Sequence, residues 1–298
     1  MGARAVPDAA FDGIAAERAA RPKAGQREGA TMMSAVDDDE DVLLLDRRSP
    51  SRTVDFLDVS FAPMDPATLE RRVVEAASRT DRFRYVVTPN VDHLVRLHED
   101  PSLSPLYERA WANVCDSRIL ELLAGWSGLR LPAAPGSDLA AALFERAIDP
   151  AEPVVIIGAD AAVIEALKAR FGLKDVRWHA PPMGLRDNPE AIAAAAAFAA
   201  ANPARFHFLC VGSPQQEMVA RAILNRGDAV GMGLCLGASL DFLAGKTARA
   251  PMWMRRLRLE WLHRLASEPE RMWKRYLVEG PRIFKLWRTW ERRTGLRG

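Results

Sequence analysis

The sequence predicts an α/β fold: a Rossmann-like, largely parallel sheet with helices on both faces, followed by a C-terminal amphipathic helical appendage. Three observations predict it. Short apolar runs alternate with segments of helical period between residues 53 and 245. Those runs end in Thr, Gly or Pro, residues that stop a ladder and open a turn. After Gly245 the pattern changes to arginine-rich amphipathic segments broken by Pro251, Pro269 and Pro281.

Residues 1–50 are rich in Ala, Gly, Arg and Asp and show no sustained period, so they are read as a disordered segment. The acidic run Asp37-Asp38-Asp39-Glu40-Asp41 is read as a solvated tail and not a metal motif, and Met32 or Met33 offers an alternative start. The core is placed at 53–245. Strands are expected over 84–88, 153–157, 205–211 and 229–236, and helices over 91–98, 137–147, 161–171, 189–201 and 214–224. In open sheets of this kind ligands bind outside the carboxyl ends of the strands, so the residues following each strand are where chemistry is sought.

Charge divides the chain. The net charge is +2, yet Lys246 to Gly298 holds 15 Lys/Arg against 5 Glu, a balance of +10 that leaves −8 for the rest. Cys115, Cys210 and Cys235 are odd in number, far apart and set in apolar runs, which argues for buried thiols in a reducing compartment over disulfides or a zinc site. No stretch approaches the roughly 20 apolar residues of a spanning helix, and the N-terminus lacks the apolar core of a signal peptide. The expected location is cytoplasmic, with any membrane contact made from that side.

The strand ends carry the candidate chemistry. Thr88-Pro89-Asn90-Val91-Asp92-His93 reads as a ligand-facing loop or a helix cap, with His93 an ordinary surface residue of the helix that follows. In Val114-Cys115-Asp116-Ser117 a carboxylate emerges from an apolar stretch, fit for a general base or for a cap. Pro135-Gly136-Ser137-Asp138 precedes a helix that Ser137 or Asp138 would cap, leaving amides able to hold an anion. Gly158 and Gly212 each follow a strand and open a helix, where a missing side chain lets a ligand approach the backbone. Gln216 and Glu217 suit sugar hydroxyls or a uracil edge. The glycines from Gly231 to Gly237 fit a dinucleotide fingerprint poorly.

Seven landmarks stand in order: Thr88-Pro89-Asn90, Asp116, Gly136-Ser137-Asp138-Leu139, Pro181-Pro182-Met183-Gly184, Gly212-Ser213-Pro214-Gln215-Gln216-Glu217, the stretch from Gly237 to Gly245 reading GASLDFLAG, and the stretch from Arg249 to Leu262 reading RAPMWMRRLRLEWL. With them the chain resembles the WecG/TagA/CpsF family of bacterial glycosyltransferases (glycosyltransferase family 26) over about residues 53 to 290. The resemblance implies an inverting, metal-independent enzyme without cofactor. It would move a hexose, N-acetylmannosamine or uronic acid from a UDP-sugar donor to a polyprenyl-diphosphate-linked saccharide acceptor, building surface polysaccharides. By the same resemblance Asp116 is the base, Thr88 and Asn90 line the acceptor side, and Gln216 and Glu217, near Gly212, hold the nucleotide sugar. Asp241 orders its turn. One departure stands out: the family usually has Asp-Gly where this chain has Asp116-Ser117, with the segment from Ser117 to Leu120 altered too, and a side chain in place of glycine narrows the backbone's freedom.

In the appendage, 246–298, apolar residues recur at helical spacing among Arg and Lys, and five of the eight tryptophans lie there. Two readings compete: a helix lying in the membrane interface, with Trp at the boundary and cations toward headgroups, or a stripe packed on its own domain. The interface reading is favoured most for the last segment, with Ile283, Trp287 and Trp290 opposite Lys285, Arg288 and Arg292. Among Arg249, Arg255, Arg256 and Arg258, at least one is expected to reach a diphosphate in the cleft. Nucleic acid is not an expected partner, and self-association stays open. The alternatives to an enzyme at the cytoplasmic membrane face are a non-catalytic sugar-nucleotide-binding or scaffold protein of the same pathway, and a nicotinamide-dependent oxidoreductase on a similar fold.

Overall fold

A computed structural model describes residues 52–79, 81–246 and 280–295, with Met254, Glu270 and Trp273 as isolated positions. Two short strands, β1 (Val54–Phe56) and β2 (Val59–Phe61), form an antiparallel hairpin whose two turn residues, Leu57 and Asp58, both take positive φ. Helix α1 (Pro66–Ala77) starts at Asp65, whose carboxylate accepts from Thr68 N at 2.8 Å, with Pro66 in the first helical position, where no amide is needed.

The body then alternates strand and helix: β3 (Phe83–Val87), α2 (Val91–Glu99), α3 (Ser104–Glu108), β4 (Ala112–Asn113), α4 (Arg118–Trp126), α5 (Gly136–Ala142), β5 (Pro153–Gly158), α6 (Ala161–Phe171), β6 (Asp175–His179), α7 (Pro189–Ala201), β7 (Phe206–Cys210), α8 (Gln215–Arg226), β8 (Gly231–Cys235) and α9 (Ser239–Leu243). The strands form one six-stranded sheet in the order β4-β3-β8-β7-β5-β6, every pair parallel. All carboxyl ends therefore lie along one edge, and the loops that leave them share that edge.

Alternation along the central strands sorts side chains into two cores. Tyr85 and Val87 of β3, with Val155 and Ile157 of β5, meet α2, α4, α7 and α8 on one face. Val86, Ile156, Phe208 and Leu234 meet α1, α5, α6 and α9 on the other. Burial on both faces is why these strands read as continuous apolar runs. The edge strands β4 and β6 were not expected: β4 is two residues long, and β6, reading DVRWH, is only half covered. Neither has a run long or apolar enough to register as a strand.

The last helix, α10 (Arg282–Thr294), corrects the sequence reading of its apolar stripe. Ile283, Trp287 and Trp290 are 0%, 8% and 6% exposed and belong to the core, not to a lipid-facing surface. Trp290 meets Phe56 edge-on at 5.2 Å and Trp287 meets Trp126 at 5.7 Å. The Trp287 indole donates to Ser127 Oγ and that hydroxyl donates to Glu291, both at 2.8 Å. Ion pairs Arg282–Glu99 and Arg293–Asp58 flank the helix. The stripe packs inward because the hairpin and the end of α4 offer it an aromatic partner and a polar one, which no local pattern reveals.

Candidate functional site

The carboxyl edge is assembled by backbone bonds between neighbouring loops. After β3, Thr88 is buried, and its hydroxyl donates to Cys235 O of β8 at 3.1 Å. After β4, Val114 N donates to Val87 O at 2.9 Å and Asp116 N donates to Pro89 O at 2.9 Å. Ala134 N donates to Cys115 O at 2.8 Å, which brings in the start of α5. There a Cβ on Gly136 would stand 3.1 Å from both Thr88 Oγ1 and Leu236 Cδ2, so the glycine lets three loops close on each other. Backbone bonds and the close approach at Gly136 thus hold the loops of Thr88, Asn90, Asp116 and Gly136 together, with Asp116 half-buried among them.

Asn90 is the cap of α2. Its side-chain oxygen accepts from Asp92 N at 3.1 Å and His93 N at 3.4 Å. His93 departs from the surface role expected for it. It is 6% exposed, its Nδ1 lies 2.9 Å from Asn90 Oδ1, and its Nε2 stands 3.6 Å from Glu217 Oε1. The Asn-x-x-His spacing of a capping box was the available sign.

Ser137 and Asp138 do not cap α5. The helix begins one residue earlier, at Gly136, with Pro135 in the cap position and no side-chain cap bond, so both lie half-buried inside the first turn. Ser117, by contrast, caps α4: its Oγ accepts from Leu120 N at 3.3 Å, at a φ of −152° that any residue adopts. No positive φ calls for glycine here.

The two strand-end glycines differ. At Gly158, φ is +93° and a Cβ would meet Cys210 O at 2.6 Å and Val211 Cγ1 at 2.8 Å. Its missing side chain therefore admits the neighbouring strand and not a ligand, while its carbonyl accepts from the Trp178 indole at 2.8 Å. At Gly212, φ is +78° and nothing lies within 4 Å of the place a Cβ would take, so that turn is open.

Gln216 and Glu217 are turned inward, 2% and 0% exposed. The Gln216 amide donates to Glu217 Oε1 at 2.7 Å and accepts from Gly237 N at 2.9 Å. They brace the turn after β8 against the start of α8 instead of reaching into an open cleft. His93 Nε2 and Glu217 Oε2, both buried, have no hydrogen-bond partner among the described residues. Next to this pair Arg96 donates to Ser213 Oγ at 3.0 Å and pairs with Asp92 at 2.6 Å. Signals for this brace were absent from the sequence because its members, on α2, at the start of α8 and in the turn after β8, are far apart along the chain.

Burial pushes the Cys115 thiol up to about 12, and its Sγ donates to Ser117 O at 3.3 Å, so it stays protonated and is no nucleophile. Asp160 caps α6 through Val163 N at 2.9 Å and pairs with Lys246. The Lys246 ammonium, then the Val163 amide, hold its carboxyl below the ordinary carboxylate range. Asp241 lies in α9, and its carbonyl accepts from Lys246 N at 3.0 Å. Arg249, Arg255, Arg256 and Arg258 lie outside the described residues, as does the segment 1–50.

The site thus sets the Asp116 carboxylate beside the buried Thr88 and the capping Asn90, with an open glycine turn at Gly212 and a braced one at Gly237 on neighbouring strands. Residues 54–297 match the Glycosyl transferase WecG/TagA/CpsF family. A match over most of the chain, including every loop of this edge, means that the protein belongs to the WecG/TagA/CpsF family and is a glycosyltransferase.

Proposed function

We propose that the protein transfers a hexose, N-acetylmannosamine or uronic acid from a UDP-sugar to a polyprenyl-diphosphate-linked saccharide, with inversion and without a metal, at the cytoplasmic face of the membrane. The observation that supports this most is the placement of Asp116. It is the carboxylate that the backbone of β3 and β4 holds at the carboxyl edge, one hydrogen bond from the Thr88-Pro89-Asn90 turn.

In this reading Asp116 takes the proton of the acceptor hydroxyl. The freed oxygen attacks the anomeric carbon from the face opposite the nucleotide, and the bond from that carbon to the diphosphate oxygen breaks as UDP leaves. Thr88 and Asn90 shape the acceptor side. The turns at Gly212 and Gly237, which Gln216 and Glu217 hold in register, receive the nucleotide. Negative charge grows on the departing diphosphate, and cations placed to meet it speed the step. Arg249, Arg255, Arg256 and Arg258 are assigned that work, shared with contact to lipid headgroups, and the appendage from residue 246 onward is assigned to membrane attachment.

Asp116→Asn tests the reading. With a panel of UDP-sugars and a synthetic polyprenyl-diphosphate acceptor, UDP release should require acceptor, survive chelator and fall about 10²- to 10⁴-fold in the variant. Turnover equal to wild type would remove Asp116 as the base.

A further inference from the structure

Helix α4 is apolar on both sides. Leu120, Leu123 and Ala124 face the core, while Ile119, Leu122 and Trp126, spaced i, i+3 and i+7, are 37%, 37% and 47% exposed. A helix apolar all round normally has something covering its outer side. The exposed stripe continues onto α10. Trp126 meets Trp287, and Ser127 meets Glu291, so the flank of α10 nearest α4 is the one that carries Phe284 and Arg288. Phe284 is 43% exposed. Four of the seven large apolar side chains exposed among the described residues thus gather on one surface, which makes it a patch and not scatter.

The charge around the patch is net positive, four arginines against two glutamates. Arg118 at the start of α4, Arg130 in the loop after it, and Arg288 and Arg292 on α10 are exposed. Arg118 pairs with Glu121 at 3.0 Å, which also accepts from Ala133 N at 3.2 Å, and Glu291 accepts from Ser127, so the excess charge at the rim comes from Arg130, Arg288 and Arg292. Apolar and aromatic side chains edged by arginine fit an anionic lipid surface, where the rings enter the boundary and guanidinium groups meet headgroups.

We propose that the outer face of α4, continued by the flank of α10, is a lipid-docking surface for an anionic bilayer. Ser117, the cap of α4, directly follows Asp116, so docking on α4 turns the Asp116 end of the carboxyl edge toward the lipid. That last step rests on the proposed reaction, because a lipid-linked acceptor would enter there. The docking itself does not. It also differs from attachment by the tryptophans of α10, whose side chains are in the core.

The test uses the full chain and vesicles of equal parts phosphatidylcholine and phosphatidylglycerol, with the triple variant Ile119→Gln, Leu122→Gln, Phe284→Gln. These three side chains are exposed, and an unchanged melting temperature checks the fold. Partition onto the vesicles, read by flotation, should fall at least about tenfold. Arg288→Glu should weaken it on anionic vesicles while leaving pure phosphatidylcholine unaffected. Turnover of a soluble acceptor should stay at the wild-type level while that of a vesicle-embedded acceptor falls. Flotation equal to wild type would overturn the proposal, as would a self-association lost in the triple variant while flotation persists. Flotation needs no turnover, so an inactive preparation that loses flotation in the variant supports the docking surface while counting against the proposed reaction.

Discussion

At Ser117, where the resemblance leads one to expect glycine, the conformation of the residue decides how much the difference matters. The residue sits in extended backbone and its hydroxyl caps α4, so serine satisfies an amide that glycine would leave to water. Ser117→Gly should therefore lower stability by only a few tenths of a kcal/mol and leave turnover within about twofold. A gain of tenfold in the same assay would show instead that the hydroxymethyl group obstructs the acceptor. Legibility also varied residue by residue. The cap at Asn90 was readable because that residue opens a helix, whereas the apolar run before Asp116 left base and cap both open and only the family resemblance gave it a role. The inward turn of Gln216 and Glu217 was not, because polar residues at a helix start ordinarily face solvent, and only the meeting with Gly237 and His93 gives them a buried partner.

Among the elements, α10 shows how one amphipathic pattern serves two ends. A stripe at i, i+4 and i+7 specifies that a helix covers something apolar, but not whether that is lipid or protein. Here Phe56 and Trp126 decide it. Trp287→Ala should destabilise the fold by about 3–5 kcal/mol, since it removes the ring contact with Trp126 and the bond to Ser127, and urea unfolding would measure the loss. A variant as stable as wild type would mean that α10 does not contribute to the core. It follows that removing everything after Gly245 tests stability along with membrane attachment, whereas surface changes on α4 separate the two.

For the whole molecule, the clearest titration lies within the sheet. His207, in β7, is fully buried, and its Nε2 donates to Ala204 O at 3.2 Å. Burial lowers its imidazole from 6.5 to about 4. The unfolded chain takes up a proton below pH 6.5 that the native state refuses until about pH 4, so stability is full above pH 6.5 and falls as pH drops through that window. The slope from this one group is about 1.4 kcal/mol per pH unit. His207→Gln should flatten stability between pH 6.5 and 4 in urea titrations, and an unchanged slope would remove His207 as its source. By itself the sequence determined the parallel α/β class, the central strands, the long helices and the set of strand-end residues, because those follow from local period and from the residues that stop a strand. Only the tertiary structure decided the edge strands β4 and β6, the inward stripe of α10, the brace of Gln216 and Glu217 against Gly237, and the service of Gly158 to a neighbouring strand. Each of these depends on which distant segment comes to lie alongside, and a chain's local pattern states what must be covered without stating by what.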